Sequence, residues 1–344
     1  MTTYYVDPAA AGANNGTSWG DAWTSLQSAA DAAVAGDIVY CRGTQTLGAA
    51  IDFDINGGTN AGGMIRFIGC NAAGNVDGTR FLINGNNGAY HLLHFTNAAY
   101  SLWFENIEAY DTGVGSYNGW NFSTWDAASG CVFINCCAHD CGGVGFGNGS
   151  IQFALFYRCV AYSNTANGFT TVTQTSYMLC CCSRDNTADG FGGGNVIGCI
   201  AHGNSDDGSA LNFGCLLNSV SDGNTDNGIE ITAFTSNLYR PFVIGCRITN
   251  HAGSGDFGLY CNSEQVVMGH CYFEQGGDGV NIDPATDDLL YRISLEGGTT
   301  DSNEFDGSDT DKGYVDSANH DFSTDYTDAT DPTLRRTAIT IPWS

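Results

Sequence analysis

The chain has one lysine, Lys312, and five prolines in 344 residues. With 37 acids against 11 bases the net charge is −26. So anionic a surface excludes binding along nucleic-acid phosphates, which needs clustered cations, and docking on anionic membranes. It suits a salt-rich habitat or the recruitment of divalent cations. No run of 18 apolar residues occurs, so no membrane insertion is expected. The opening MTTYYVDP has neither a charged nor an apolar leader segment. The expectation is a protein made without a signal peptide, the alternative being a secreted mature chain. No CxxC motif has a matching second pair, which argues against zinc. Few prolines beside 47 glycines point to many turns and few helices.

What is present is a repeat. Phe133-Ile134-Asn135-Cys136-Cys137-Ala138 returns as Phe156-Tyr157-Arg158-Cys159-Val160-Ala161, as Met178-Leu179-Cys180-Cys181-Cys182-Ser183 and as Val196-Ile197-Gly198-Cys199-Ile200-Ala201. It continues at Leu216–Ser221, Val243–Ile248 and Met268–Phe273, with a degenerate copy at Leu290–Leu295. Phe67–Ala72 and Phe104–Ala109 fit the same frame. The first column is large and apolar. The third is mostly Gly or Asn, residues that tolerate a left-handed corner. The fourth is mostly Cys and the sixth mostly small. A strand thus enters a tight bend and a strand leaves it, with the first, fourth and sixth side chains inward. Such a period means a solenoid. Equivalent residues stack about 4.8 Å apart, and the cysteines form an internal ladder. Bridged cysteines need Cβ atoms about 3.8 Å apart, so most of the fifteen are expected as free thiols from a reducing compartment.

A second element follows each copy, a polar turn closing on glycine and an apolar residue: Asn164–Phe169, Asn186–Phe191, Asn204–Gly208 and Asn224–Ile229. Upstream, Ser25 to Ala35 predicts a helix with Leu26, Ala29, Ala30, Ala33 and Val34 on one face, ended by Gly36. Asp37–Gly43 predicts the first strand.

With these repeats and this opening (Tyr-Tyr-Val-Asp-Pro, helix, Gly-Asp-x-Val-Tyr), the sequence resembles the right-handed parallel β-helix proteins. These form the pectin-lyase-like superfamily and include phage structural and tailspike proteins. The resemblance implies an all-β, right-handed parallel β-helix of about ten coils. Residues 1–43 would form an N-terminal cap with a short α-helix, 44–297 the β-helix, and 298–344 an acidic tail ending in an edge strand.

The resemblance also suggests carbohydrate chemistry. The hydrolase order Asn-Thr-Asp, Asp-Asp, Gly-His-Gly, Arg-Ile-Lys is not kept. Asp206-Asp207 precedes Asn224-Thr225-Asp226, Gly269-His270 lacks its second glycine, and Arg-Ile-Lys is absent. What remains is a set of outward positions after each glycine corner. The candidate catalytic residues are Glu230, Asp283, Asp226 and Asp207, since paired carboxylates can cleave a glycosidic bond. The candidate glycan-binding residues are Trp120, Trp125, Tyr260 and Asn281. Asp207, Asp226 and Asp278 are calcium candidates, because stacked carboxylates repel and recruit a cation; no other cofactor is expected. The alternatives are solvated turn acids and aromatics that cover the coil.

Two functions follow. One is a non-enzymatic structural or adhesive protein of a virus particle or cell surface, binding glycan. It would be a homo-oligomer, or pair with other surface proteins, through its edge strand and C-terminal tail. The other is a polysaccharide lyase or glycoside hydrolase acting on an acidic polysaccharide.

Overall fold

The computed structural model describes residues 1–296 except 55, 60–61, 97–99, 124–128, 148–150, 172–174, 212–213, 232–240, 250–257, 262–266, 275–279, 283–288 and 292–293. Trp125, Asp278, Asp283 and the C-terminal tail lie outside the described residues.

Each repeat folds into three short strands, because each has two sharp corners and one longer loop. The strand holding the first column joins a 12-stranded sheet, the strand holding the sixth an 11-stranded sheet, and the strand after the glycine turn a 10-stranded sheet. The described ladders between successive coils are parallel, with one register shift between Asn84 and Gly88, and the repeats stay in register, as in Phe104, Phe133, Phe156 and Met178 along the first sheet. Ten coils carry all three strands, which at about 4.8 Å per coil gives a rod about 45–50 Å long.

The frame read from the sequence sets the interior. Phe133, Cys136 and Ala138 are buried, as are Phe156, Cys159 and Ala161 one coil on. The third column is left-handed from Asn106 to His270, with φ between 48° and 68° even at Arg158, Cys180 and His270. Gly69 differs. Strand Ile65–Cys70 runs straight through it, and the glycine serves closeness instead, since a Cβ there would strike the Asn106 carbonyl oxygen.

Aromatic rings fill the N-terminal coils. Phe53, Phe95, Trp120, Phe146, Phe169 and Phe191 stack rung on rung along the 10-stranded sheet. Phe67, Phe104, Phe133 and Phe156 do the same along the 12-stranded sheet, 4.7–5.5 Å between ring centres. Each such pair contributes about 0.5–1.5 kcal/mol beyond the area it buries.

The N-terminal module differs from expectation in two ways. A strand at Thr3–Val6 precedes Ile38–Arg42 and pairs with it in parallel, so Asp37–Gly43 does not hold the first strand. The helix is shorter, Leu26–Ala32, capped by the Ser25 hydroxyl, which accepts from Gln27 N–H. Leu26, Ala29, Ala30 and Ala33 face the core, but Val34 lies beyond the helix and is exposed. Among the described residues no helix is long and apolar enough to cross a membrane.

Two corners of each coil carry internal ladders. The thiol ladder is Cys136, Cys159, Cys181, Cys199, Cys246 and Cys271, each Sγ facing a carbonyl of the coil below and one of its own, either of which its single S–H can reach. The fourteen described cysteines are free thiols. Cys180, Cys181 and Cys182 run exposed, buried and half-buried. The second ladder is of amides. Asn164, Asn186, Asn204 and Asn224 are buried; the Oδ1 of Asn186, Asn204 and Asn224 each accepts from the backbone N–H and the Nδ2 of the asparagine one coil below, and that of Asn164 from the Cys141 N–H.

Candidate functional site

The glycine turns deliver a column of polar side chains to one edge of the 10-stranded sheet. The residue before each glycine is Asn167, Asp189, Asp207 and Asn227 in turn. The glycines are needed for room rather than for φ. A Cβ at Gly168 would strike the Ser183 hydroxyl, and one at Gly190 would lie 2.6 Å from the Gly208 carbonyl oxygen. The two aspartates are held from either side by amides. Asn167 Nδ2 donates to Asp189 at 3.0 Å, while Asn227 donates from its backbone N–H (2.9 Å) and Nδ2 (3.0 Å) to Asp207 Oδ1.

Around this column the carboxylates converge. Asp189, Asp206 and Asp207 each bring an oxygen within 4.8 Å of the others. Glu230, outward between the buried Ile229 and Ile231, hydrogen-bonds Asp207. Asp226 hydrogen-bonds Asp206. Burial, the Glu230 hydrogen bond and its charge push Asp207 far above the carboxylate range. Burial and the Asp206 charge push Asp189 up to about 6. Burial, then the charge and hydrogen bond of Asp226, raise Asp206. The charges acting most strongly on these three are other carboxylates, so the cluster keeps protons or takes a cation.

Beside the cluster the sheet is bare. Its outward positions run Thr170, Gly192, Ala210, Glu230 and Tyr260 in register. Gly192 and Ala210 leave a notch between the Thr170 and Glu230 rungs, which are about 14 Å apart. A Cβ at Gly192 would sit 2.7 Å from Asn167 Nδ2, so glycine there is what lets the amide lie across the floor.

The structure thus brings together Asp207, Asp226 and Glu230 of the expected residues. Tyr260 is half-buried one rung beyond Glu230. Asn281 follows in register, its side chain outside the described residues. Asp207 is only 3% exposed, so it lies behind the more open Asp189 and Asp206. Trp120 is a correction. It is fully buried in strand Trp120–Phe122, its indole donating to the Cys137 carbonyl at 3.2 Å and its ring inside the aromatic stack, so no glycan can touch it. The alternating apolar positions of Trp120 and Phe122 were the signal for a strand rather than a loop. Asn167, Asp189 and Asp206 complete the cluster. They sit at the turn positions of Asn227, Asp207 and Asp226, a correspondence visible in the repeat.

No protein-family model matches the sequence, and no curated protein matches it. Solved structures do. Pectate lyase Pel9A aligns over 89% of this chain and 80% of its own, at 17% identity and a TM-score of 0.55. ORF18 of Geobacillus virus E2 aligns over 79% of this chain at 15% identity and a TM-score of 0.51, the match spanning 58% of the viral protein. A rhamnogalacturonan lyase aligns over 81% of this chain and 75% of its own, at 13% identity and a TM-score of 0.49. At such identities the likeness concerns the fold, and with three parallel sheets it makes the chain a right-handed parallel β-helix.

Proposed function

We propose that the chain is a non-enzymatic, glycan-binding β-helix of a virus particle or cell surface, and that the carboxylate cluster holds the glycan through calcium. The observation that carries this reading is the convergence of Asp189, Asp206 and Asp207 within 4.8 Å beside the notch at Gly192 and Ala210. Calcium takes about six to eight oxygens, and carboxylates this close supply several. Asp189 and Asp206 would be the accessible ligands, with Asp207 behind them fixed by Asn227. Without a cation the cluster repels an acidic polysaccharide. With one, the ion bridges the two sets of carboxylates. Tyr260 offers a ring to a sugar face one rung beyond Glu230. A viral protein of the same fold and a ladder of buried free thiols, compatible with assembly in a reducing cytoplasm, support the surface role.

Titration calorimetry of the full chain with calcium tests the reading. Binding that is lost in Asp206→Asn, and acidic polysaccharide retained only with calcium, are expected; no heat with calcium would sink it. The raised Asp207 carboxyl and its hydrogen bond to Glu230 favour a second reading, a glycoside hydrolase with a protonated carboxyl at neutral pH. Reducing ends or unsaturated products that vanish in Glu230→Gln would put catalysis in place of adhesion.

A further inference from the structure

We infer that the outer face of the 12-stranded sheet is a self-association surface on which a second copy of this chain packs. This face lies apart from the carboxylate cluster, and the inference does not rest on the calcium reading. Strands Val132–Ile134, Leu155–Tyr157, Tyr177–Leu179, Asn195–Ile197, Cys215–Leu217 and Phe242–Ile244 follow one another in register. Their central residues point inward, so the flanking positions form the outer face, Asn195 being the one that is itself buried.

One outward column is apolar without interruption: Ile134, Tyr157, Leu179, Ile197, Leu217 and Ile244, all partly exposed. In the other, Tyr177 is 47% and Phe242 43% exposed. Phe153 stands exposed just before this sheet, and Ile200 just past the next corner. Nine large apolar residues are strongly exposed among the described residues, and these four all border one face. Scattered exposed apolar residues are ordinary; a contiguous strip is not.

Charge selects the occupant. None of the outward positions on these six strands is acidic, in a chain with 37 acids. The last acid on the face, Glu105, is tied to the Trp103 indole and to Arg66. The carboxylate cluster borders the 10-stranded sheet, not this one. Two copies at −26 each can come together only where neither brings carboxylates, and this face meets that condition. The chain's own residues 297–344 carry ten acids and are a poor cover for it. Area sets the strength. Six rungs about 4.8 Å apart, with the strip along the corner, present roughly 400 Å², against about 800 Å² per partner in a standard interface. The pair is therefore a weak, isologous dimer, monomeric near 1 μM and mostly paired near 100 μM as orders of magnitude.

Sedimentation velocity of the full chain in EDTA, over that range, is the test. The chain is expected to move from monomer to dimer, and the double variant Leu179→Glu, Leu217→Glu to stay monomeric. Both sites point outward and are half-exposed, so the variant should keep the parent's melting transition. A parent that stays monomeric, or a variant that still pairs, overturns the inference. A photo-crosslinking benzoylphenylalanine in place of Tyr177 covers the case of a misfolded variant. A product of twice the chain mass supports the inference. A link to residues 297–344 of the same chain, or no link, overturns it.

Discussion

The two corners of each coil solve the same problem with different atoms. Both turn the chain through a left-handed residue, Arg158 and Cys180 at one, Ser163 and Asp185 at the other. At the thiol corner the inward residue need only be small, since sulfur is a feeble donor and packs as a hydrophobe. At the amide corner the inward residue must donate and accept, because the N–H and Nδ2 of the coil below both end on its Oδ1. Exceptions mark the difference. Ser219 replaces a cysteine mid-ladder. Cys141 takes an amide position only at the end of that ladder, where its own N–H donates to Asn164 and no asparagine below needs an acceptor. A corner built on volume tolerates changes of chemistry, and a corner built on hydrogen bonds does not.

The largest test asks whether the thiol corner is truly closed. Cys181 is buried among Phe156, Cys159 and Cys199, and Cys181→Arg places an unpaired charge there. The cost exceeds the roughly 5–15 kcal/mol that holds a domain together, so no soluble folded protein is expected. Soluble protein with an unaltered circular dichroism spectrum would refute the inward ladder.

That ladder was legible in the sequence because every coil repeats the same geometric demand. A large first residue, a turn-former third and a small sixth recur wherever the bend recurs. The amide ladder was half legible. Asn164, Asn186, Asn204 and Asn224 stood at fixed turn positions, but one asparagine in a turn looks like a solvated turn-former. Only its return at the same place in four coils implies burial. Trp120 was misread because it lies in the early coils, where the spacing is less regular. The hydrogen bond between Asp207 and Glu230 was beyond reach, since it depends on which turns stack above which strands.

The next test breaks the other corner. Asn186→Ala removes the acceptor of the Asn164 N–H and one of the two acceptors of Asn164 Nδ2, whose other hydrogen keeps the Ala138 carbonyl, so two buried N–H bonds lose their partner. Each buried unsatisfied donor costs about 1–3 kcal/mol, so a loss of about 2–6 kcal/mol is expected in the urea midpoint analysis. A loss under about 1 kcal/mol would place the two corners on equal terms.

A third test reads the outer side of the amide corner, where the carboxylates sit. Asp189 is pushed up to about 6 by burial and by Asp206, above its value in the unfolded chain. The folded state therefore binds the proton more tightly. Its contribution is fully present below about pH 4 and is lost as pH rises through about 6, a change of at most about 3 kcal/mol. Comparing urea midpoints of the parent and Asp189→Asn between pH 4 and 7 reads it together with its effect on Asp207, while Glu108, lowered by its His139 hydrogen bond, titrates in both. The parent should lose stability relative to the variant as pH rises. A constant difference would show that Asp189 is solvated like any surface acid.

The smallest effect is the sharpest measure of the contrast. Cys199 Sγ points at the Met178 and Ile197 carbonyls, 3.2 and 3.5 Å away. Ser219, one coil on, donates to Leu217 at 3.0 Å and accepts the Cys199 N–H at 3.1 Å. A hydroxyl is therefore already accommodated at this corner, and Cys199→Ser should cost no more than about 1 kcal/mol. Burial raises the Cys131 and Cys137 thiols to about 12 and pushes Cys159 and Cys181 well above the ordinary thiol range. In the native state at neutral pH a thiol reagent should thus modify the exposed Cys180 first, with the ladder reacting only on unfolding. Serine tolerated at position 199 while alanine is not at Asn186 would establish that one corner is held by volume and the other by hydrogen bonds. Equal losses at both would mean that the sulfur hydrogen bonds stabilise the coil as strongly as the amides do.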